Sequence, residues 1–166
     1  MPVEQGWVSL WQQRLQASQS EHKLINASIS GETSAGGLAR LPALLQQHQP
    51  QWLIIELGAN DALRGQDLKR LEKNLATMIL LAQAQNTQVL LLGIQLPTNY
   101  GDVFNQRLLG VYQRLALTHH TLLDPFFLAD VALQPNGLQQ DGLHPTAAAQ
   151  QSIMKRVSGI LAEYIK

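Results

Sequence analysis

The sequence predicts an α/β domain built on a parallel β-sheet, and three observations support this prediction. Almost entirely apolar segments at 52–57 and 89–94 are typical of strands that are covered on both faces. Longer segments with apolar residues at helical spacing lie between them, most clearly at 66–85. Turn-forming polar residues follow each apolar segment. Strands that alternate with helices in this way favour a parallel sheet with helices on both faces.

Composition limits the possible classes of function. The chain has 166 residues, enough for one domain with a proper core, so we expect residues 1–166 to form a single domain. A formal net charge of zero gives no electrostatic reason to expect nucleic acid or an anionic membrane as a partner. The absence of cysteine excludes a disulfide framework, a thiolate nucleophile and a cysteine-ligated metal. No apolar segment reaches the roughly 18 residues of a membrane span, and residues 1–6 do not resemble a signal peptide.

The N-terminal third predicts two helices around one short strand. Tryptophan, valine and leucine cluster on one side of a helix over 6–18. The apolar residues at 24–29 predict a strand, which the polar loop at 30–34 ends. Helical sequence continues to about His48 and should be broken or restarted near Pro42, because proline suits a first helical turn better than an interior.

The rest of the chain repeats the alternation of strand, loop and helix. The predicted elements are a strand at 52–57, a loop at 58–61, a helix at 66–85, a strand at 89–94, a loop at 95–101, a helix at 103–117, a strand at 121–123, and irregular structure from 124 to 141. A last helix should begin after Thr146, which we expect to cap it, since apolar residues recur at helical spacing beyond it.

The segment Asp-Gly-Leu-His-Pro at 141–145 carries the clearest chemical signal. Gly142 allows a tight turn and Pro145 prevents the last helix from extending backwards, so the Asp141 carboxylate can reach Nδ1 of His144. That contact would leave Nε2 free to take a proton from a nucleophile, which suggests hydrolytic chemistry. For the pentapeptide alone, a turn-capping aspartate beside an ordinary surface histidine is the more frequent explanation.

Polar loops follow several of the predicted strands. Gly31 follows the first, Asn60 the second, and the loop at 95–99 the third. Ligands of parallel sheets bind beyond the carboxyl ends of the strands, so we expect these loops and the 141–145 segment to converge there. Taken singly, Gly31 could be a turn glycine and Asn60 a helix-cap or loop residue.

Three separated segments resemble sequence blocks of the GDSL/SGNH hydrolases. They are Asn-Ala-Ser-Ile-Ser-Gly-Glu-Thr-Ser at 26–34, Glu-Leu-Gly-Ala-Asn-Asp at 56–61 and the segment at 141–145, which match the second, third and fifth blocks in order. The similarity runs nearly end to end and is greatest to the bacterial thioesterase, lysophospholipase and arylesterase branch. The resemblance implies a three-layer αβα, flavodoxin-like SGNH-hydrolase fold, and members of this branch are typically exported to the periplasm.

The resemblance also implies roles for individual residues. Gly31 would offer its backbone N–H and Asn60 its side-chain amide to the oxyanion of a tetrahedral intermediate, with His144 as general base and Asp141 as its orienting partner. Pro97, Tyr100, Phe126 and Phe127 would contribute to substrate binding, although ordinary core packing or a turn explains them equally well. The substrate would be a small acyl ester, a thioester or a lysophospholipid, hydrolysed through an acyl-enzyme without a metal or organic cofactor. The adjacent His119 and His120 are better explained as a surface pair than as a metal site.

One block of this family does not occur in the sequence. Gly-Asp-Ser-Leu, whose serine is the family's nucleophile, is absent, and residues 1–7 resemble what normally follows it. We therefore expect a chain truncated at its N-terminus, without the nucleophile and the first central strand of the sheet, and with little or no activity. An unpaired sheet edge would favour association into a homo-oligomer or exchange of an element between protomers.

Two other functions stay open at this point. A non-catalytic remnant or acyl-lipid-binding module would keep the same fold. A flavodoxin-like nucleotide binder would share the architecture, but no glycine-rich phosphate-binding motif follows any predicted strand. Ser28, Ser30 and Ser34 lie near the expected site, but nothing around them resembles a nucleophile elbow.

Overall fold

The computed structural model describes residues 3–165 and contains three strands and seven α-helices in that range. The strands are β1 (Trp52–Ile55), β2 (Gln88–Leu92) and β3 (Leu122–Asp124). The helices are α1 (Trp7–Ala17), α2 (Ser34–His48), α3 (Ala59–Leu63), α4 (Leu68–Gln83), α5 (Asp102–His119), α6 (Ala129–Ala132) and α7 (Gln150–Leu161). No described helix is both long enough and apolar enough to cross a membrane.

The three strands form one parallel sheet in the order β1-β2-β3, which confirms the predicted α/β class. Leu53 pairs with Val89 in one ladder, and Leu91 pairs with Leu123 in the other. After Gln88 every residue of β2 is buried, because β2 has a neighbour on each side. Only Ile55 of β1 is buried. The other three residues of β1 are half-buried, so the apolar pattern at 52–57 predicted more burial than this strand has. Among the described residues, β1 pairs with β2 only.

The described chain divides into two compact units, which are treated separately below. The first consists of the described residues up to Ser28 together with those from Phe127 onward, and the second of Ile29–Phe126. In the second unit α4 packs against β2 and lies between α2 and α5, while α5 packs against β3. Five apolar side chains of α4 at helical spacing are buried, namely Leu71, Leu75, Met78, Ile79 and Ala82.

The first unit is organised by the packing of α1 against α7. Trp11 of α1 is buried and lies beside Trp7, with ring centroids 6.5 Å apart. The backbone N–H of Trp7 donates to Oε1 of Gln150 at 2.9 Å, which ties the first turn of α1 to the start of α7. From α7, Ile153, Val157 and Leu161 are buried, as their helical spacing predicts.

The predicted strand at 24–29 is absent from the structure, where these residues form neither helix nor strand. A strand exists only when its backbone groups pair with a neighbour, and no described strand pairs with this segment. Ile25 and Ile29 are 52% and 55% exposed, so two of the apolar residues that predicted a strand are not buried. Of residues 1–7, which resemble the sequence that follows the family's first block, Met1 and Pro2 lie outside the described residues.

Helix α2 does not break at Pro42, contrary to the prediction. Proline inside a helix removes one N–H donor, and its ring crowds the carbonyl four residues earlier. The flanking Leu41 and Leu45 are buried, and their burial favours a continuous helix despite the lost bond. The Thr33 hydroxyl caps the N-terminus by accepting from the N–H of Gly36 at 3.3 Å.

Candidate active site

The segment 141–145 lies in a tight loop whose two arms are joined by backbone hydrogen bonds. Leu138 and Pro145 form an isolated antiparallel bridge, and the N–H of Gln139 donates to the carbonyl of His144 at 2.7 Å. Gly142 adopts a φ of +66°, which L side chains rarely do, so the predicted need for glycine at this turn is confirmed. These contacts hold the two arms of the loop together on either side of the turn.

Asp141 and His144 form the predicted pair. Nδ1 of His144 lies 2.7 Å from Oδ2 of Asp141, and Oδ1 accepts from the N–H groups of Leu143 and His144 at 2.9 and 3.1 Å. The bond from the His144 ring, aided by the two backbone donors, lowers the pKa of Asp141 from 3.8 to about 2. The carboxylate is therefore ionised near neutral pH and orients the ring. With Nδ1 engaged, Nε2 is the ring nitrogen available for proton transfer.

Thr146 does not cap the last helix in the predicted way. A short 3₁₀ turn, Ala147–Ala149, comes before α7, and no side chain caps its N-terminus. The Thr146 hydroxyl instead donates to the carbonyl of Asn136 at 2.6 Å, and its N–H donates to Gly137 at 2.9 Å. Because these carbonyls belong to the preceding arm of the loop, Thr146 closes the base of the loop that carries His144.

In the second unit, Asn60 lies on α3 and not in the loop predicted at 58–61. Because α3 has only five residues, too few for a helical period, no helix was predicted there. Gly58, with a φ of +128°, precedes the helix, and a Cβ at this position would lie 2.3 Å from the Tyr112 hydroxyl. That hydroxyl is buried and donates to the carbonyl of Leu57 at 2.8 Å. Burial, reinforced by the negative charges of Asp61 and Glu56, raises the pKa of Tyr112, so it stays protonated as a donor.

The Asn60 side chain is oriented by the backbone of the segment that carries Gly31. Nδ2 of Asn60 donates to the carbonyl of Glu32 at 3.1 Å, which uses one of its two N–H groups. Gly31 is exposed and has a φ of +76°, and its carbonyl accepts from Nη2 of Arg64 at 3.1 Å. The two expected oxyanion donors, Gly31 and Asn60, therefore belong to one hydrogen-bonded arrangement.

A buried polar network anchors the same segment, and the sequence did not assign it. Asp61 is 1% exposed and accepts from the backbone N–H of Ser34 at 2.8 Å and from its hydroxyl at 2.5 Å. Nδ2 of Asn74 donates to the Ser34 hydroxyl at 2.9 Å. The network links α3, α4 and the start of α2. Its only sequence signal was an acidic residue directly after Asn60, which does not by itself indicate burial. The Ser34 side chain is fully buried, and its hydroxyl already donates to Asp61 and accepts from Asn74, which argues against a nucleophilic role for it.

The loop with Pro97 and Tyr100 is held by a side chain that the sequence also did not assign. The Asn105 carboxamide accepts from the N–H of Leu96 and donates to its carbonyl, both at 2.9 Å. It therefore pairs with the backbone just before Pro97 as a neighbouring strand would. Pro97 is half-buried, and Tyr100 is 43% exposed at the end of a short 3₁₀ turn.

The two phenylalanines predicted for substrate binding differ in burial. Phe126, in the second unit, is half-buried, and its N–H donates to Oδ1 of Asp124 at 3.2 Å. Phe127, in the first unit, is 4% exposed. Both stay predicted substrate-binding residues, and burial makes ordinary packing the simpler explanation for Phe127.

The His119 carbonyl accepts from Nε2 of Gln83 at 2.7 Å. Within residues 3–165, no three histidine, aspartate or glutamate side chains form a group that could hold a metal ion.

The structure thus forms two parts of the predicted site. The Asp141–His144 pair belongs to the first unit, and Gly31 and Asn60 belong to the second. Their convergence in one crevice, expected from the sequence, stays a prediction.

Comparison with known proteins gives consistent results. A family model described as the GDSL-like Lipase/Acylhydrolase family matches residues 3–151. The chain is 48% identical over 157 residues to Esterase TesA of Pseudomonas aeruginosa, covering 95% of this chain and 78% of that protein. It is 43% identical over 153 residues to Thioesterase 1/protease 1/lysophospholipase L1 of Escherichia coli K12, covering 92% and 72%. A solved structure of the psychrotrophic esterase EstA from Pseudoalteromonas, inhibited by monoethylphosphonate, matches with a TM-score of 0.90 at 40% identity, covering 97% and 88%.

Proposed function

Because the chain belongs to the GDSL-like lipase/acylhydrolase family, we propose that His144, Asp141, Gly31 and Asn60 serve the hydrolysis of carboxylic esters or acyl thioesters. The observation that carries the proposal is the 2.7 Å contact between the His144 ring and Asp141. It provides a base of fixed orientation with one ring nitrogen free. The relatives are named as an esterase and as a thioesterase and lysophospholipase, so the substrate class is small acyl compounds.

In the proposed reaction, Nε2 of His144 takes the proton of a serine hydroxyl as that oxygen attacks the acyl carbonyl carbon. The proton then passes to the leaving alcohol or thiol, and an acyl-enzyme is left for water to hydrolyse by the same route. Asp141 stays ionised throughout and stabilises the imidazolium. The N–H of Gly31 and the second N–H of the Asn60 amide would bind the oxyanion, each worth about 2.7–4 kcal/mol of transition-state stabilisation.

The proposed reaction needs a serine nucleophile, and none of the described serines is assigned to that role. Gly-Asp-Ser-Leu occurs nowhere in these 166 residues, and Ser34 is committed to a buried network. We therefore expect the stretch by itself to hydrolyse esters very slowly, with a residual contribution from the base and the oxyanion donors. The second candidate is a non-catalytic acyl-lipid-binding module, in which Tyr100, 43% exposed, and the half-buried Phe126 contact the acyl chain.

An ester assay with a serine-directed probe tests the proposal. The chain would be incubated with p-nitrophenyl butyrate and, separately, with a fluorophosphonate whose attachment is read by mass spectrometry. The proposal predicts no phosphonylated serine in these 166 residues, and slow hydrolysis that His144→Asn lowers further, because the base is lost and the oxyanion donors remain. His120→Asn is the matched control, because His120 is exposed and asparagine tolerates its left-handed backbone.

A second variant tests the nucleophile directly. A fusion that adds a relative's Gly-Asp-Ser-Leu strand before residue 1 should gain hydrolysis by about 10³-fold or more, and His144→Asn should remove most of the gain. Phosphonylation of Ser28 or Ser30 in the unfused chain would contradict the assignment of the nucleophile. Binding of a fatty acid without turnover, in both the fused chain and its His144→Asn variant, would support the binding module and contradict the hydrolase.

A further inference from the structure

We propose that Arg64 is a positioning residue that holds Gly31 in the orientation needed to bind an oxyanion. The inference rests on the proposed function only for the role of Gly31 as an oxyanion donor. The effect of Arg64 on Gly31 concerns the second unit alone, since Gly31, Asn60 and Arg64 all lie within Ile29–Phe126.

Two side chains on one side of α3 donate hydrogen bonds to the backbone carbonyls of Gly31 and of the next residue. Asn60 and Arg64 are four residues apart, so they project from the same side of the helix and its C-cap. Asn60 donates to the carbonyl of Glu32 and Arg64 to the carbonyl of Gly31, each at 3.1 Å. Because both bonds originate from one short helix, the position of the Asn60 amide relative to Gly31 is set by α3.

Gly31 needs this support because little else constrains it. It has no side chain, it is exposed, and its φ is +76°. The turn around it is closed by a long bond of 3.3 Å from the N–H of Glu32 to the carbonyl of Ile29. A Cβ built on Gly31 would meet only the Arg64 guanidinium, at 4.0 Å. By holding the carbonyl, Arg64 fixes the peptide plane that follows Gly31. That constraint limits rotation about the glycine and with it the direction of the glycine N–H.

The exposed guanidinium of Arg64 donates to the Gly31 carbonyl and forms no ion pair with a carboxylate among the described residues. Other arginines of the described chain are paired in this way, Arg40 with Glu32 and Arg114 with Glu72, at 3.0 and 2.8 Å. A charged donor on a backbone carbonyl makes a stronger hydrogen bond than a neutral donor does. Lysine, a point charge with different reach, would reproduce the contact only in part.

Backbone dynamics measured by NMR give a test that does not require turnover. The amide order parameters of Gly31 and Glu32 and the carbonyl carbon shift of Gly31 would be compared in the parent, Arg64→Met and Arg64→Lys. We expect the Gly31 order parameter to fall from about 0.85 to below about 0.6 in Arg64→Met, with partial recovery in Arg64→Lys. The matched control is Arg114→Met, which removes an exposed arginine from the same unit but leaves Gly31 untouched.

The outcomes separate this inference from the proposed function. An unchanged Gly31 order parameter and carbonyl shift in Arg64→Met, equal to those of Arg114→Met, would overturn the positioning role. Loss of order at Gly31 supports it, whether or not the chain hydrolyses esters. In the fused, hydrolysing chain, Arg64→Met should lower kcat about tenfold and leave KM within twofold, because the oxyanion forms only in the transition state. A rise in KM alone would contradict the link between Arg64 and the oxyanion.

Discussion

Replacing Gly58 by alanine should destabilise the protein through a steric clash with the Tyr112 hydroxyl. The added Cβ would lie 2.3 Å from the Tyr112 oxygen and 3.3 Å from Cδ2 of Leu71, at a φ of +128°. Tyr112 cannot easily turn away, because it is buried and its hydroxyl is bonded to the carbonyl of Leu57. The substitution therefore combines backbone strain with the loss of a buried hydrogen bond.

The expected cost follows from these two effects. A residue forced into a sparsely populated backbone region costs about 1–3 kcal/mol. Displacing the Tyr112 hydroxyl leaves buried polar groups unpaired, at about 1–3 kcal/mol. We therefore expect Gly58→Ala to lower the free energy of unfolding by about 2–6 kcal/mol. Gly65→Ala is the matched control, since Gly65 also has a positive φ, +67°, but open space around it. It should cost about 1–2 kcal/mol, the strain alone.

A double-mutant cycle measured by urea unfolding tests whether the hydroxyl is the cause. Tyr112→Phe removes the oxygen that the new Cβ would strike, so the two substitutions share the cost of the lost hydrogen bond. The double variant should be more stable than the sum of the single effects predicts, by about 1–3 kcal/mol. Additive costs, or equal costs for Gly58→Ala and Gly65→Ala, would refute the reasoning.

Two further predictions concern the polar groups of the candidate site. In His144→Ala the midpoint of the Asp141 carboxyl, followed by carbon-13 NMR, should rise from about 2 toward 3.8, because the largest cause of the lowered pKa is removed. Since the folded pKa lies below the unfolded value, ionised Asp141 stabilises the fold above about pH 4, and this contribution is lost as the pH falls toward 2. Acid destabilisation in that interval should therefore be weaker in His144→Ala, and an unmoved midpoint would contradict the pairing. Ser34→Ala should lower the free energy of unfolding by about 1–3 kcal/mol in thermal denaturation, because Asp61 loses a donor and Asn74 an acceptor. A loss below about 0.5 kcal/mol, the size expected for an exposed serine, would mean that the network is not sealed from water.

Elements set by their own residues were predictable from the sequence. Helix α4 and strand β2 carry strong periodic or continuous apolar patterns, and the predicted bounds differ from the observed ones by only a few residues. The Asp141–His144 contact was also predictable, because three residues and a glycine turn determine it locally.

Elements that depend on distant partners were not predictable. The apolar segment at 24–29 carries a strand pattern, but without a pairing neighbour the pattern alone does not make a strand. Helix α3 is too short for periodicity to reveal, and the backbone just before it is held by Tyr112, which is 55 residues away in the sequence. The roles of Asp61 and Asn105 likewise come from contacts across the fold.

The two hydrogen bonds of the Asn105 carboxamide make the neighbouring loop sensitive to deamidation of this residue. Its two bonds to Leu96 need one donor and one acceptor on the same side chain, and the carboxamide of asparagine supplies both. Deamidation to aspartate would keep the acceptor but place a negative oxygen against the Leu96 carbonyl. One attraction would become a repulsion, and the Pro97 loop would loosen. Deamidation of one side chain on α5 would thus change the structure of the Pro97 loop first.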